Sequence, residues 1–134
     1  MFEAIKPRDL AVVKMRDEGS SFIAIGQQFG ISHQRAKQIY DYVIYISNFQ
    51  NSYPVLFGAL IYGADRLKTT HRTFMQVVYA LDRSGIARDI SNNDEDMGLM
   101  LGRFMLYRGV GEKSIQLYEK AAEIYDGMFC SYTV

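Results

Sequence analysis

Two glycines four residues apart, Gly26 and Gly30, constrain this chain more than any other feature. They sit inside SFIAIGQQFGISHQRAKQIY, residues 21–40. On either side of Gly30 apolar residues recur at helical spacing, which predicts two consecutive helices. Ser20 or Ser21 can cap the first, which runs to Phe29, and Ser32 can cap the second. Gly30 falls where the chain must turn through a left-handed conformation, which costs glycine little. Gly26 supplies the small residue that two closely crossing helices need at their contact. Ile25, Phe29, Ile31, Ala36 and Ile39 occupy the positions that must point into a core, and all five are apolar. The pattern predicts a helix-turn-helix. An ordinary amphipathic hairpin with solvated polar residues is the alternative. Glycines at both spacings, together with five matched apolar positions, favour the helix-turn-helix.

At about 100° per residue the second of these helices separates into faces. Ala36, Ile39 and Val43 share one side. Gln34, Lys37, Gln38 and Asp41 lie opposite, with His33 and Arg35 on the flanks. An exposed face of this kind enters the major groove of DNA with its N-terminal end first. Glutamine can pair bidentately with adenine, whereas Arg35 and Lys37 suit phosphate or guanine. Ser32, as the cap, leaves backbone N–H groups free near a phosphate. The candidate DNA-binding residues are therefore Ser32, His33, Gln34, Arg35, Lys37 and Gln38, on a reading helix over residues 32–46.

Helical patterning continues along the rest of the chain, and no alternating run bounded by turns argues for a sheet. Pro7 suits a first helical position, with Leu10, Val13 and the Lys14 stem on one face, and Gly19 ends that helix. No Gly or Pro interrupts the third helix before Pro54, and residues 48–54 (NFQNSYP) form the best candidate boundary. A short apolar helix, Val55 to Ala64, follows. Thr69 or Thr70 caps the next one, which ends at Ser84-Gly85. Ser91 to Asp96 is read as an acidic turn opening a helix that runs through Leu106. After the tight Gly109-Val110-Gly111 connection comes a last amphipathic helix, roughly Glu112 to Asp126, carrying Ile115, Leu117, Tyr118, Ala122 and Tyr125. The expected fold is all-α, with a helix-turn-helix over 1–52, a connecting helix or linker over 53–69 and a helical hairpin domain over 70–134.

IAIGQQFGISHQRAKQIY resembles the helix-turn-helix in the fourth region of bacterial primary sigma factors, which reads the −35 promoter element. The likeness covers about twenty residues: the Ile-Gly pair, the Phe-Gly-Ile-Ser turn, and Arg35, Gln38 and Ile39 as Arg-x-x-Gln-Ile. It implies that His33, Gln34 and Gln38 approach bases and that Arg35 and Lys37 support the backbone contact. His33 and Gln34 stand where that family carries Arg and Glu.

In the second half, FMQVVYALDRSGI and YRGVGEKSIQLYEKA are similar to the C-terminal domain of the RNA polymerase alpha subunit, over roughly residues 70–124. That resemblance implies a helix-hairpin-helix that binds DNA backbone and minor groove. Apart from it, two glycines allow a sharp turn, and the following helix N-terminus offers free N–H groups at a positive dipole end. Gly109, Gly111, Lys113 and Ser114 are thus candidate phosphate-binding residues. A tight inter-helix connection explains the glycines equally well. Gln76 and Tyr79 replace the Arg and Asn with which the alpha family enters the minor groove. A protein-contact or dimerisation role is therefore weighed beside a DNA-gripping one.

Composition narrows the function. The 134 residues include fifteen basic and fifteen acidic side chains, which cancel. Any DNA affinity must then come from a local patch, from dimerisation or from a partner such as RNA polymerase. One cysteine, Cys130, excludes an internal disulfide, fits a reducing cytoplasm, and reads as a structural thiol rather than a nucleophile. The N-terminus has no signal-peptide pattern and no apolar run is long enough to span a bilayer, so a cytoplasmic protein without membrane contact is expected. Two histidines in separate halves do not make a metal site, and Asp94-Glu95-Asp96 reads as a solvated helix start rather than a cation site. No cofactor is implied, and no nucleophile–base–acid set suggests an enzyme. Tyr40, Tyr42, Tyr45, Tyr53 and Tyr62 gather near the middle of the chain, where tyrosine suits an aromatic core or a homodimer seam. The expectation is a DNA-binding transcription regulator of bacterial or phage type, acting on double-stranded DNA as a homodimer, with RNA polymerase as a further partner. Its rival is an interaction factor that binds RNA polymerase or a sigma factor and does not read DNA alone.

Overall fold

A computed structural model describes residues 2–93 and 95–130; Asp94 and the Cys130 thiol, both weighed above, lie outside what it describes. Among the described residues the secondary structure is entirely helical. The helices are α1 (Pro7–Asp17), α2 (Phe22–Phe29), α3 (His33–Ser52), α4 (Pro54–Leu67), α5 (His71–Arg83), α6 (Ile86–Asn92), α7 (Leu101–Met105) and α8 (Glu112–Cys130), with a 3-10 turn at Gly98–Met100 before α7. They form two compact units, Glu3–Asn48 in one and Phe2 with the residues from Phe49 onward in the other. The division falls within α3.

The first unit is held by a small apolar centre: Val12 from α1, Ile25 from α2, and Ala36, Ile39 and Val43 from α3. Phe22, Phe29, Ile31 and Tyr42 pack around it, and the Tyr42 hydroxyl donates to the Ala4 carbonyl at 2.5 Å. Arg16 lies over the Phe22 ring at 4.3 Å and donates to the Ser20 carbonyl, closing the α1–α2 connection. The face expected for α1 is corrected here. Leu10 is 53 % exposed and Val13 only half-buried, whereas Val12 is fully buried and Asp9 is 9 % exposed. Leu10, Ala11, Val12 and Val13 are consecutive and so run round the helix, which leaves its apolar residues without a single face. Asp9 in the first turn complements the helix dipole, which offsets part of the cost of its burial.

In the second unit α4 runs against α8, with Gly63 facing it. A methyl placed there would touch the Ala121 nitrogen and the Leu117 side chain, each at 3.4 Å. The buried side chains of this unit include Leu60, Phe74, Leu81, Ile90, Phe104, Leu117 and Tyr118. Phe104 stacks on Tyr118 at 4.3 Å between centroids, and the Tyr118 hydroxyl donates to the Met97 carbonyl at 2.7 Å.

The stretch from Ile86 to Leu106 differs from the sequence expectation. Gly85, at φ +80°, restarts the chain directly into α6, whose Ile86, Ala87 and Ile90 are buried, so Ser91 and Asn92 end a helix instead of opening one. The single helix expected through Leu106 is the 3-10 turn followed by five-residue α7. Arg103 holds this arrangement, meeting Asp89 at 2.5 Å and the Ser84 carbonyl at 2.7 Å. The start of the 3-10 turn is capped from a distance. Asp126 on α8 accepts from the Met97 and Gly98 nitrogens at 2.9 and 2.8 Å, and Asp96 accepts from Gly98 at 3.0 Å. Burial, with Asp96 beside it, pushes the Asp126 carboxyl up from its ordinary value, while the hydrogen bond with Asp126 holds Asp96 down.

Candidate nucleic-acid interface

The site is assembled from α2, the turn and the start of α3, all within the first unit. Ser21 caps α2 by accepting from the Ala24 nitrogen at 3.1 Å. Gly30 ends it at φ +68°, a left-handed conformation suited to glycine, and the Ile31 nitrogen bonds back to the Gly26 carbonyl at 2.9 Å. Ser32 caps α3 by accepting from the Arg35 nitrogen at 3.1 Å. The turn lies directly on Gly26. A Cβ at that position would stand 2.5 Å from the Ile31 carbonyl oxygen and 3.3 Å from the His33 nitrogen. The small residue is thus required by the turn and the first backbone atoms of α3.

From this start α3 presents one polar row. Ser32, His33, Gln34, Arg35, Lys37 and Gln38 are all exposed, whereas Ala36, Ile39 and Val43 are buried in the centre of the unit. Asp41 is exposed one turn beyond Lys37, and the Lys37 ammonium meets its carboxylate at 3.1 Å. The unit carries Lys6, Arg8, Lys14, Arg16, Arg35 and Lys37 against Glu3, Asp9, Asp17, Glu18 and Asp41, a surplus of one positive charge. The row therefore combines amide groups, which can both donate and accept hydrogen bonds, with one cation, Arg35, that forms no ion pair among the described residues, and a second that is locally neutralised.

The candidate phosphate residues of the second unit separate from one another. Gly109 turns the chain at φ +90°, and its carbonyl accepts from the Gln76 side-chain nitrogen. Gln76 also accepts from the Ser114 hydroxyl at 2.9 Å, and Ser114 is 1 % exposed. The Ser114 hydroxyl is thus directed inward, onto α5. Gly109, Gly111 and Lys113 remain exposed. Lys113 lines a shallow cleft with Lys68, Thr70, Thr73 and Gln116. Gln76 ties the hairpin to α5. Sequence reasoning missed this role, and its only signal is an amide whose two partners lie more than thirty residues away.

The aromatic residues near the middle of the chain have partners within their own units. Tyr40 packs edge-on to Phe22 at 5.8 Å, Tyr53 edge-on to Phe49 at 5.2 Å, and Tyr62 lies under Arg66 at 4.7 Å. Among the described residues no group of three or more His, Cys, Asp or Glu side chains could hold a metal ion, and no helix is long and apolar enough to cross a membrane. In comparisons with known proteins, no family model, no curated protein and no solved structure matches this chain.

Proposed function

We propose that α2, the turn and α3 form a helix-turn-helix and that the chain is a DNA-binding transcription regulator reading the major groove with α3. The observation that carries this reading is the division of α3 itself. Its cap and first two turns expose Ser32, His33, Gln34, Arg35, Lys37 and Gln38, while Ala36, Ile39 and Val43 on the opposite side are buried. A helix whose back is anchored and whose front holds amides and cations fits a groove lined with base edges and phosphates. Gln34 and Gln38 are the base readers, bidentate to adenine where they meet it, and His33 lies at the leading end. Arg35 and Lys37 meet phosphates, and the Ser32-capped helix start favours an anion. With a surplus of one charge in the unit, a single copy has little electrostatic grip. Two copies on half-sites about one helical turn apart, roughly 34–36 Å, supply the rest.

The test is selection of a preferred duplex from a random pool, followed by binding of Gln34→Ala and Gln38→Ala to it. Each should lose about 1–3 kcal/mol on the selected site and relax specificity at one base pair. Unchanged binding by both variants would remove α3 as the reader.

A second reading is favoured by one observation in the other unit. Leu99 is 80 % exposed, Leu106 88 % and Met105 49 %, three apolar side chains on the 3-10 turn, α7 and its end that suit a protein partner such as RNA polymerase or a sigma factor. Co-purification that Leu106→Ser abolishes, without any duplex preference in the wild-type chain, would favour this reading over the first.

A further inference from the structure

We infer that Asp41 sets specificity on the proposed DNA-reading helix: its carboxylate holds Lys37 away from phosphates in the free protein and accepts a hydrogen bond from a base amino group, cytosine N4 above all, in the bound one. This rests on the assignment of α3 as the reader.

Gln34, Lys37, Gln38 and Asp41 fall at spacings of three, four and seven residues, which places them along one row of an α-helix. All four are exposed. Seven residues advance about 10 Å along the axis, close to three base-pair steps at about 3.4 Å each. A helix that brings Gln34 to a base edge therefore brings Asp41 into the same groove.

An ionised carboxylate can only accept hydrogen bonds. Between two walls of phosphate it is repelled unless a donor faces it. In the major groove the donors are the amino groups of cytosine and adenine. The adenine amino group lies between two acceptors, its own N7 and the thymine O4, whereas the cytosine amino group has an acceptor, guanine O6, on one side only, so cytosine fits a carboxylate better. A residue of this kind costs affinity on every sequence except those that satisfy it, which is how discrimination is built.

The partner of Asp41 in the free chain points the same way. The Lys37 ammonium sits 3.1 Å from the Asp41 carboxylate, with both side chains mostly exposed. Lysine precedes the acid in this pair, the order less favourable for helix stability, and exposed pairs contribute little in any case. Its main effect is on charge, since it cancels the second cation of the reading row. On a matched duplex Asp41 exchanges Lys37 for a base, and Lys37 is released to a phosphate. On an unmatched one the carboxylate keeps Lys37 or is left facing phosphates.

The test uses the full-length chain and its Asp41→Asn and Asp41→Ala variants. Fluorescence anisotropy is measured over a series of salt concentrations on a selected duplex and on a scrambled one. Both variants should keep the wild-type thermal transition, since Asp41 is exposed. Both should bind the scrambled duplex roughly tenfold tighter. Their salt slope should steepen by about 0.9, the equivalent of one more phosphate contact. The ratio of selected to scrambled affinity should fall, and replacing the cytosine opposite residue 41 should cease to matter. If the variants keep wild-type affinity, slope and ratio while Gln34→Ala weakens the selected duplex, the role of Asp41 is refuted and the reading helix stands. If the wild-type chain prefers no duplex and Gln34→Ala has no effect, both are refuted.

Discussion

Gly26→Ala tests the close approach on which the α2–α3 arrangement depends. On helix propensity alone alanine should gain about 1 kcal/mol at an interior helical position. The local geometry opposes this. The added methyl would lie 2.5 Å from the Ile31 carbonyl oxygen, 0.9 Å inside the 3.4 Å at which ordinary contact begins, and 3.3 Å from the His33 nitrogen and the Ser32 carbonyl carbon. All three are backbone atoms, so no side-chain rotation relieves the contact. Relief requires the turn to move away from α2, which stretches the Ile31 N–H bond to the Gly26 carbonyl. Overpacking of this kind costs about 1–3 kcal/mol, and a weakened hydrogen bond about 1 kcal/mol more. After the propensity gain, the net loss is about 1–3 kcal/mol. Gly58→Ala in α4 is the control, because a methyl there meets nothing within 4 Å. It should stabilise by about 0.5–1 kcal/mol through propensity alone. Because the chain has two units, the readout is hydrogen exchange of the α2 and α3 amides alongside urea unfolding. Gly26→Ala should increase exchange through residues 22–43, whereas Gly58→Ala should leave those amides unchanged. A Gly26→Ala chain as protected as the wild type would show that the turn does not depend on this contact.

Gln76→Leu should destabilise the second unit by about 2–3 kcal/mol, since the Ser114 hydroxyl is left buried without its acceptor and the Gly109 carbonyl loses a donor; adding Ser114→Ala should recover part of the loss in thermal unfolding. Lys68→Gly should stabilise by about 1 kcal/mol in the same assay, because Lys68 holds φ +51° at the end of α4. For the Asp96–Asp126 pair the two signs differ. The raised Asp126 contributes stability that is full below its ordinary value of 3.8 and is lost as pH rises through the raised one; the lowered Asp96 contributes stability present above 3.8 and lost as pH falls through the lowered one. Melting temperature followed from acid to neutral pH should show Asp96→Asn without the acid-side loss and with a shallower decline on the other side, where only burial still raises Asp126.

Contacts that are local in the chain were legible before the structure. Ala36, Ile39 and Val43 are buried and Gln34, Lys37 and Gln38 exposed, as a period of about 100° per residue requires of a helix with one anchored side. The caps at Ser21, Ser32 and Thr70 and the left-handed Gly30 follow from the same short-range rules. Helix α1 was less readable. Its apolar residues Leu10 to Val13 are consecutive and mark no single face, and the Tyr42–Ala4 bond that secures the chain just before it spans 38 residues. In the second unit α6 was missed because Ser91, Asn92 and the acids after them suggest a helix start. The residues that decide its placement, Ile86, Ala87 and Ile90, read as an apolar fragment too short to assign.

The hairpin shows why candidate phosphate residues were harder to locate than candidate base readers. On a helix whose back is buried, exposure of the front follows from the period alone, so residues 32–38 could be assigned from their order. In a glycine turn no period applies, and each polar atom faces whatever the nearest element offers. Gln76 of α5 offers an acceptor to Ser114 and a donor to the Gly109 carbonyl, so two of the groups expected to face a ligand have partners within the unit. What the hairpin leaves outside is Lys113, which lines a cleft with Lys68, Thr70, Thr73 and Gln116. A serine hydroxyl next to a helix N-terminus has two competing uses, phosphate or core partner, and the choice is made by a side chain 38 residues away. An arginine at position 76 could have accepted nothing from Ser114, since a guanidinium has no acceptor. The amide at residue 76 thus accounts for the inward turn of Ser114, and it shifts any outward role of the hairpin onto Lys113.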